Sequence, residues 1–323
     1  MPLKRLFMDN RGFALIITIM ILSLIVPMTL DFNTTTMHYK VSSANLKDGA
    51  IASSVAKSGY NLALAILFSD SSSSDFDSLH EPWADREILA SAGSSMFTDA
   101  KLQLIIVDQS GKININSLVD EQGAPNTAHI FVLRHLMELE EFGIEEGVTG
   151  DIVNSILDWI DPDDDTTEEQ GHGAEDSYYQ GLREPYHCKN GPIETLDELL
   201  MVKGMTKEIF SRIARYLTIY GDGKININTA EEPVIMSLSE DIDIEIAAAI
   251  IDFRNDEKND LSEPGWYKNV QGMGELSIDE LITTASTHFE IISTGLKGVA
   301  EKTVRVMVER DQDELRVLSW KTG

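Results

Sequence analysis

The stretch Arg11-Gly12-Phe13-Ala14-Leu15-Ile16-Ile17 opens the part of the chain that decides the fold. No charged residue occurs between positions 13 and 30, and most side chains there are apolar. About 20 apolar residues in helical form span the hydrocarbon core of a bilayer. Lys4, Arg5 and Arg11 precede the run, and such basic flanks stay on the cytoplasmic side. The sequence therefore predicts one membrane-spanning helix with the remaining chain on the far side.

The order of leader and apolar run distinguishes this segment from an ordinary secretory signal. An ordinary signal has an apolar stretch of roughly 7 to 15 residues that is followed by a small-residue cleavage site. Here the run is longer, and the Gly12-Phe13 junction stands before it instead of after it. This arrangement is typical of a prepilin leader. An uncleaved signal anchor is the alternative.

The membrane helix is expected to continue beyond the apolar run. Residues 31–67 carry apolar side chains at helical spacing, and a serine-rich segment, 69–74, follows. The apolar positions are Met37, Val41, Ala44, Ile51, Val55, Ala63 and Ile66. We expect one helix of more than 50 residues, about 80 Å long at 1.5 Å per residue. Pro27 is expected to kink it or to unwind it locally.

Strand patterns lie on both sides of a long helical region. Residues 101–108 alternate as a strand, and three further strands are predicted at 288–293, 302–309 and 315–320. Residues 75–100 are expected to be a loop with at most one helical turn. The region between the strands contains six candidate helices, at 127–141, 150–160, 195–202, 207–217, 232–238 and 242–254. The order predicts one sheet that is interrupted by a large helical insertion.

The insertion contains a six-residue repeat. Gly111-Lys112-Ile113-Asn114-Ile115-Asn116 recurs 112 residues later as Gly223-Lys224-Ile225-Asn226-Ile227-Asn228. The repeat indicates either a duplication or a shared local turn. The second copy is similar to the entry of helix-hairpin-helix modules that hold DNA phosphates, but Asp222, Glu231 and Glu232 flank it. The favoured interpretation is structural: the asparagine side chains fix the turn and cap the next helix.

Composition excludes several classes of function. The formal net charge is −28, and beyond the first 30 residues 23 basic residues face 53 acidic ones. Such a body is repelled by nucleic acid and anionic lipid, which argues against a nucleic-acid partner or a DNA-uptake role and favours divalent cations. Cys188 is the single cysteine, so no intramolecular disulfide can form. No nucleophile motif or phosphate-binding glycine loop occurs, and we expect no enzymatic activity.

An acidic loop is the strongest candidate site. Nine carboxylates and no Lys or Arg occur between Asp158 and Asp176. Each like-charged pair at 4 Å costs about 1 kcal/mol even in water, whereas calcium takes about 6 to 8 oxygen ligands. Asp161-x-Asp163-x-Asp165 opens like an EF-hand, but Thr166 and His172 stand where that loop needs Gly and Glu. Any calcium site is therefore not an EF-hand, and a solvated acidic loop is the alternative.

These features resemble the minor pseudopilin K family of type II secretion, a component of the general secretion pathway. The leader Arg11-Gly12-Phe13-Ala14-Leu15-Ile16 and the paired Lys-Ile-Asn-Ile-Asn segments carry part of the resemblance. The more specific motifs are Asp158-Trp159-Ile160-Asp161-x-Asp163, Gly173-Ala174-Glu175-Asp176-x-x-Tyr179, Tyr186, Lys189-Asn190 and Glu198-Leu199-x-x-Val202-x-Gly204-Met205. The resemblance extends over essentially the whole chain.

The resemblance implies an α+β, type IV pilin-like fold with a long N-terminal helix, an antiparallel sheet and a large helical domain inserted in the sheet. The implied domains are a prepilin leader at 1–12, a transmembrane and assembly helix at 13–68, a pilin-like α/β domain at 69–110 and 286–323, and the inserted helical domain at 111–285. It also implies structural calcium in the acidic loop. Our candidate ligands are Asp161, Asp163, Glu175 and Asp176, with backbone carbonyls contributing.

The same resemblance implies a processing route and a subcellular localisation. Prepilin peptidase would cleave between Gly12 and Phe13, and the new Phe13 amine would be methylated. The chain would cross the inner membrane once, with its globular part in the periplasm.

The resemblance further implies a position in a filament. Counting from Phe13, the fifth residue is Ile17, where most pilins carry Glu. An unpaired carboxylate in lipid is costly. A subunit that has no other subunit above it meets no N-terminal amine, so a carboxylate at this position would stay unpaired. The implied role is therefore at the pseudopilus tip, initiating or capping assembly with I-like and J-like minor pseudopilins, with secreted proteins as further candidate contacts. The alternative is a membrane-anchored periplasmic calcium-binding interaction domain outside any filament.

Overall fold

A computed structural model describes residues 11–120, 122–311 and 314–323. Most of the predicted leader, including Lys4 and Arg5, lies outside the described residues. The helices are α1 Arg11–Ser71, α2 Arg86–Met96, α3 Thr127–Glu138, α4 Glu146–Ile160, α5 Asp176–Gln180, α6 Lys207–Ile213, α7 Glu232–Ser237 and α8 Ile244–Asn255. Short 3-10 helices occupy Ile115–Leu118, Glu140–Phe142, Leu196–Met201, Ala214–Tyr216 and Pro264–Asn269. The strands are β1 Lys101–Asp108, β2 Ile113–Asn114, β3 Leu217–Thr218, β4 Ile225–Asn226, β5 Ile282–Thr283, β6 His288–Lys297, β7 Ala300–Asp311 and β8 Glu314–Thr322.

Helix α1 is 61 residues long and is apolar enough to cross a membrane near its N-terminus. It continues as helix through Pro27, so the predicted local unwinding is wrong. A proline removes one backbone donor and crowds one carbonyl, and a long helix absorbs this without ending.

The second half of α1 packs against the sheet through small side chains. Ala52, Ala56 and Ala63 are fully buried there. The Ser293 hydroxyl donates to the carbonyl oxygen of Ala56 at 2.7 Å. A Cβ at Gly295 would lie 2.0 Å from the carbonyl oxygen of Ala52, so only glycine permits this close approach. The predicted apolar stripe is therefore covered by this chain only in the second half of the helix.

The sheet has the order β1-β6-β7-β8, and its neighbouring strands are antiparallel. All four strands lie where the sequence predicts them. Strands β1 and β6 pair directly, with Ile106 opposite Ile291, although the whole helical insertion separates them in sequence. Phe289, Ile291 and Val306 are fully buried and form the core between the sheet and α1. The mixed α+β class predicted from the sequence is confirmed.

Helix α2 was not expected, because residues 75–100 read as a loop. The Asp85 carboxylate accepts hydrogen bonds from the backbone of Glu87 and Ile88 and caps the helix. Leu89 is 1% exposed and anchors the helix in the sheet core. The helix contains three serines and one glycine, which have lower helix propensity than alanine, and burial of Leu89 favours the helix over a loop.

The insertion has its own hydrophobic core, which both copies of the repeat help to build. The side chains of Asn114 and Asn226 each accept a hydrogen bond, at 2.9 Å, from the backbone two residues later, which fixes the turn as predicted. Asn116 and Asn228 then bind remote backbone: Asn116 bonds to Ile193 at 2.8 Å, and Asn228 donates to Leu261 at 3.1 Å. Strands β2 and β3 pair in parallel, and so do β4 and β5.

A second pair of matching segments supports a duplication. Val202-Lys203-Gly204-Met205 and Val270-Gln271-Gly272-Met273 each follow a 3-10 helix. Gly204 and Gly272 have φ angles of 83° and 94°, which favour glycine. A Cβ on Gly204 would touch Ile152 in α4, and one on Gly272 would touch Ile246 in α8. The two halves of the insertion thus share elements beyond the local turn.

A buried polar seam joins α1, the sheet and the insertion. The Arg310 guanidinium in β7 donates to Asp70 at 3.0 Å, to Asp77, and to the carbonyl oxygen of Ser286 at 2.9 Å. The Ser286 hydroxyl in turn donates to Asp108 at 2.6 Å. These bonds fix the end of α1 against the points where the insertion leaves and rejoins the sheet.

Candidate metal centre and exposed apolar helix

Three buried carboxylates meet at the end of α4. Asp158 lies in the last turn of α4, Asp161 directly follows the helix, and Glu175 immediately precedes α5. One oxygen from each lies within 4.8 Å of the others. Their residues are 0%, 5% and 3% exposed, respectively. The loop between α4 and α5 therefore folds back and closes over the end of α4.

Local packing positions the cluster. Asp158 and Asp161 are three residues apart and project from the same side of the helix end, while the neighbouring Trp159 is 2% exposed and belongs to the insertion core. The backbone N–H of Thr167 donates to Asp158 Oδ1 at 3.0 Å. A Cβ at Gly173 would lie 2.0 Å from Asp158 Oδ2, so glycine lets the returning loop reach the carboxylate.

The electrostatics of the cluster are unbalanced. Burial, and then the charges of neighbouring carboxylates, raise the pKa of Asp161 and the pKa of Glu175 to about 7 each. Burial also raises the pKa of Asp158, against the lowering effect of the hydrogen bonds from Thr167. Within the described part of the chain, no Lys or Arg lies within 4 Å of the three carboxylates. Like charges are thus held together without a protein cation.

Several of these oxygens also lack hydrogen-bond donors. Asp158 Oδ2, Asp161 Oδ1 and both Glu175 oxygens are buried and have no partner. Such groups are rare in folded proteins, since each one costs about 1–3 kcal/mol of desolvation, and more when charged. Hard carboxylate oxygens are the ligands that calcium prefers. The donor set therefore fits a divalent cation of the calcium type.

The structure separates the four predicted ligands. Asp161 and Glu175 come together, joined by Asp158, which the sequence reasoning did not include. Asp163 is exposed, and its Oδ1 accepts from the backbone N–H of Asp165 at 2.8 Å. Asp176 turns away and accepts from the backbone N–H of Cys188 at 2.9 Å. The spacing of Asp158 and Asp161 at a helix end is the sequence signal that points to the missing member.

A second acidic group is already balanced by an arginine. Oxygens of Asp70, Asp77 and Glu81 also lie within 4.8 Å of one another. Arg310 pairs with the first two, and the Trp83 indole N–H donates to Glu81 at 2.7 Å. The guanidinium supplies the positive charge that a metal ion would otherwise provide there, so this group belongs to the buried polar seam around Arg310.

Helix α1 presents apolar side chains that nothing in the described chain covers. Gly12 and Phe13 lie at its start, and Phe13 and Ile17 are 66% and 42% exposed. Beyond the membrane-length run, Tyr39 and Leu46 are still 73% and 74% exposed. Large contiguous apolar surfaces of this kind mark contacts with lipid or with other proteins.

Comparison with known proteins identifies the family. A family model described as type II secretion system (T2SS), protein K, matches residues 111–222, and a second model with the same description matches residues 225–279. Together the two segments cover just over half of the chain.

Individual relatives carry the same description. A putative type II secretion system protein K of Escherichia coli (strain K12) is 30% identical over 227 residues, which cover 68% of this chain and 65% of that protein. Type II secretion system protein K of Pseudomonas aeruginosa is 26% identical over 226 residues, covering 69% of this chain and 65% of that protein. The chain thus spans just under two thirds of the length of these relatives.

A solved structure shares the fold. It is described as the crystal structure of the GspK-GspI-GspJ complex from the enterotoxigenic Escherichia coli Type 2 Secretion System, and it matches with a TM-score of 0.65 and 17% identity. The match covers 90% of this chain and 99% of that chain. The family models, the relatives and the fold agree, and the chain belongs to the type II secretion system protein K family.

Proposed function

We propose that this protein is a minor pseudopilin of the type II secretion system that assembles with I-like and J-like minor pseudopilins. The observation that carries the proposal is α1, which is packed on its own sheet from Ala52 onward but leaves its apolar first half uncovered. Such a helix needs a bilayer around it before assembly and other helices against it after assembly. Membership of the protein K family and a fold shared with a protein solved in a GspK-GspI-GspJ complex support it.

Within that role, we place the chain at the pseudopilus tip, where it initiates or caps assembly for protein export across the outer membrane. Ile17 offers no carboxylate to the N-terminal amine of a subunit above it. The insertion, with its own core, also adds bulk that a closely packed filament shaft would have to accommodate. Both features suit a terminal subunit better than an internal one. The proposal includes no catalytic step.

The proposed localisation is the inner membrane, with the globular part in the periplasm. The proposed mature N-terminus is N-methylated Phe13, formed after cleavage by prepilin peptidase. Mass spectrometry of the chain from cells that contain the secretion system tests this. A chain that begins at methyl-Phe13 and co-purifies with the I-like and J-like proteins is the expected result. An intact Met1, or a cut after the apolar run, would contradict it.

The second candidate is a membrane-anchored periplasmic calcium-binding interaction domain outside any filament. The acidic cluster fits this second candidate as well as it fits the pseudopilin role, because the cluster lies in the insertion, away from α1. The two are separated by the same co-purification. Retention of an uncleaved leader without the other minor pseudopilins would favour this second candidate.

We further propose that Asp158, Asp161 and Glu175 hold a structural calcium ion, with loop carbonyl oxygens completing its shell. The support is the set of buried carboxylate oxygens without donors. Bound only by the folded chain, the ion would fasten the loop between α4 and α5. Calcium should raise the unfolding temperature of the full chain, and a chelator should lower it. The Asp161→Asn variant should lose this response, whereas Asp165→Asn, an exposed neighbour, should keep it.

A further inference from the structure

The four-stranded sheet is covered unevenly on the face that packs against α1. Helix α1 lies mainly over β6 and β7, and α2 lies over β1 at one edge. Strand β8, at the other edge, meets only the flank of α1. Within the described part of the chain, no second helix packs on β8 as α2 packs on β1. The place beside α1 that α2 fills on one side is therefore open on the other.

The strand register shows which side chains of β8 face α1. Trp320 lies opposite Val306 of β7, and Val317 lies opposite Val308. Residues directly opposite each other in an antiparallel pair share a face, and both β7 valines are fully buried in the sheet core. A register shift after Met307 lets Val317 and Trp320, three residues apart, face the same side. They are nevertheless 44% and 42% exposed.

The charged side chains of β8 lie on the opposite face of the sheet. Arg316 lies opposite Glu309 and pairs with it at 3.6 Å, and Lys321 lies opposite Arg305. Between positions 315 and 320, the side of β8 that faces α1 is therefore apolar.

The flank of α1 beside β8 is apolar as well. Tyr60 contacts Trp320 edge to face, with the ring centroids 4.8 Å apart. Leu64 and Phe68 follow Tyr60 at four-residue steps and so lie on the same flank, where Phe68 is 50% exposed. Lys57 is exposed and borders this flank. We call this surface the β8 corner, and its members are Tyr60, Leu64, Phe68, Leu315, Val317 and Trp320.

An exposed stripe of α1 leads to the β8 corner. Its members, at steps of seven residues, are Phe32, Tyr39, Leu46, Ser53 and Tyr60. The first three are 72%, 73% and 74% exposed. Seven residues fall about 20° short of two full helical turns, so the stripe drifts only slowly around α1. Met37 and Val41 are also exposed but lie off this line. Apolar side chains at seven-residue spacing favour a second helix packed alongside.

The stripe and the β8 corner together point to a helix as their occupant. From Leu30, at the end of the apolar run, to Tyr60 the helix rises about 45 Å. The hydrocarbon core of a bilayer is only about 30 Å thick, so lipid that surrounds the apolar run does not reach the corner. A strand added to the edge of β8 would leave the stripe uncovered. A helix that runs beside α1 would cover both.

We propose that the β8 corner receives the long helix of a neighbouring pilin-type subunit, which runs beside α1 from Phe32 to Phe68 and packs on Val317 and Trp320. This inference rests on the proposed function and adds to it a contact surface on the sheet. Trp320 and Tyr60 are the anchors of the contact, since buried aromatic side chains often dominate binding energy at protein interfaces.

The first test compares two lysine variants of the full chain, co-expressed with the I-like and J-like proteins. Val317→Lys places an ammonium in the β8 corner. Ile105→Lys is the matched control, because Ile105 is 40% exposed in β1 and alternates with Leu104 and Ile106, which face the core. Val317→Lys should weaken recovery of the partners by about tenfold, since a charge buried without a partner is costly. Ile105→Lys should match the wild type.

The second test follows Trp320 directly. It is the exposed tryptophan of the chain, because Trp83, Trp159 and Trp266 are 1%, 2% and 3% exposed. Hydroxyl-radical oxidation, read by mass spectrometry of peptides, should modify Trp320 in the isolated full chain in detergent and several-fold less in the complex. Tyr178 in the insertion, also 42% exposed, is the reference and should be oxidised equally in both.

The outcomes separate this inference from the proposed function. If the wild type recovers the partners, Val317→Lys does so equally well and Trp320 stays reactive in the complex, the corner is not a contact and the pseudopilin role stands. If the wild type recovers no partner, the pseudopilin role fails and this inference fails with it. Protection of Trp320 that grows with the concentration of the isolated chain would assign the corner to a second copy and overturn the proposal.

Discussion

At the scale of single residues, Gly173 is a tightly constrained position of the candidate metal centre. The variant Gly173→Ala would place a Cβ 2.0 Å from Asp158 Oδ2, so the loop must move away from the cluster. Such overpacking typically destabilises by about 1–3 kcal/mol, and the displaced loop should no longer respond to calcium. Thermal unfolding with calcium and with chelator measures both effects.

Gly147→Ala is the matched control, because a Cβ at that position meets nothing within 4 Å and the residue lies in α4. It should be neutral or slightly stabilising, with the calcium response intact. Equal behaviour of the two variants would show that the loop does not need its close approach to Asp158.

The titration of Asp161 and Glu175 gives a pH dependence. Without a metal their pKa values, about 7, lie above the values of the unfolded chain. Their contribution to stability is therefore present when they are protonated and is lost as the pH rises through about 7. Calcium needs ionised ligands, so its binding strengthens over the same range. The rise in unfolding temperature on adding calcium should be larger at about pH 8 than at about pH 5.5; an equal or smaller rise at the higher pH would contradict a carboxylate site.

Sequence reasoning located the acidic loop but could not select its inward-facing members. Asp176 and Glu175 are neighbours in sequence, yet one binds the backbone of Cys188 and the other is buried in the cluster. Asp158 was counted among the nine carboxylates of the loop but not among the four candidate ligands, and the structure buries it completely. Which carboxylates converge depends on how the loop returns past Gly173, and no local pattern encodes that path.

At the scale of secondary-structure elements, Arg310 links the end of α1 to β7. Its guanidinium pairs with Asp70 and Asp77, whose side chains are 7% and 2% exposed. The variant Arg310→Gln would leave these two carboxylates buried side by side without a cation. Removing one partner of a buried pair costs about 3–5 kcal/mol. Denaturant unfolding of the full chain in detergent should show a loss of this size.

The control for Arg310 is an exposed arginine of the same hairpin. Arg316 lies 3.6 Å from Glu309, and its side chain is 76% exposed. Arg316→Gln should cost about 0–1 kcal/mol, as exposed ion pairs usually do. If both variants lost the same stability, the seam would not be what holds α1 to the sheet.

The elements themselves were predictable to different degrees. The four strands of the sheet alternate clearly in sequence, and the structure has them where they were expected. Helix α1 was recognised from its apolar spacing. The local unwinding considered at Pro27 does not occur, since the hydrogen bonds on either side of one proline suffice to continue a helix. Helix α2 has a local start signal in the Asp85 cap, which the loop prediction missed, and its position also depends on burial of Leu89, which only the folded sheet provides.

At the scale of the whole molecule, the long-range arrangement follows from contacts that sequence order conceals. One sheet interrupted by the insertion was inferred from strand patterns on both sides of it, but the direct pairing of β1 with β6 was not. The repeat indicated either a duplication or a shared local turn, but the reach of Asn228 to Leu261 and of Asn116 to Ile193 depends on where each half folds back. The division into a sheet core and an insertion core is therefore a property of these tertiary contacts.

The two cores predict where loss of calcium is felt. Asp158 adjoins Trp159 in the insertion core, whereas Phe289 lies in the sheet core. Chelation should therefore speed amide hydrogen exchange from α4 to α5, because opening free energies differ between parts of a fold, and should leave β6 and β7 protected. Hydrogen exchange of the full chain in detergent, followed by mass spectrometry of its peptides, measures this. The Asp161→Asn variant should exchange at the faster rate with or without chelator. An equal acceleration in β6 and β7 would mean that the ion stabilises the whole molecule through the polar seam, and no change in α4 would mean that the cluster holds no ion.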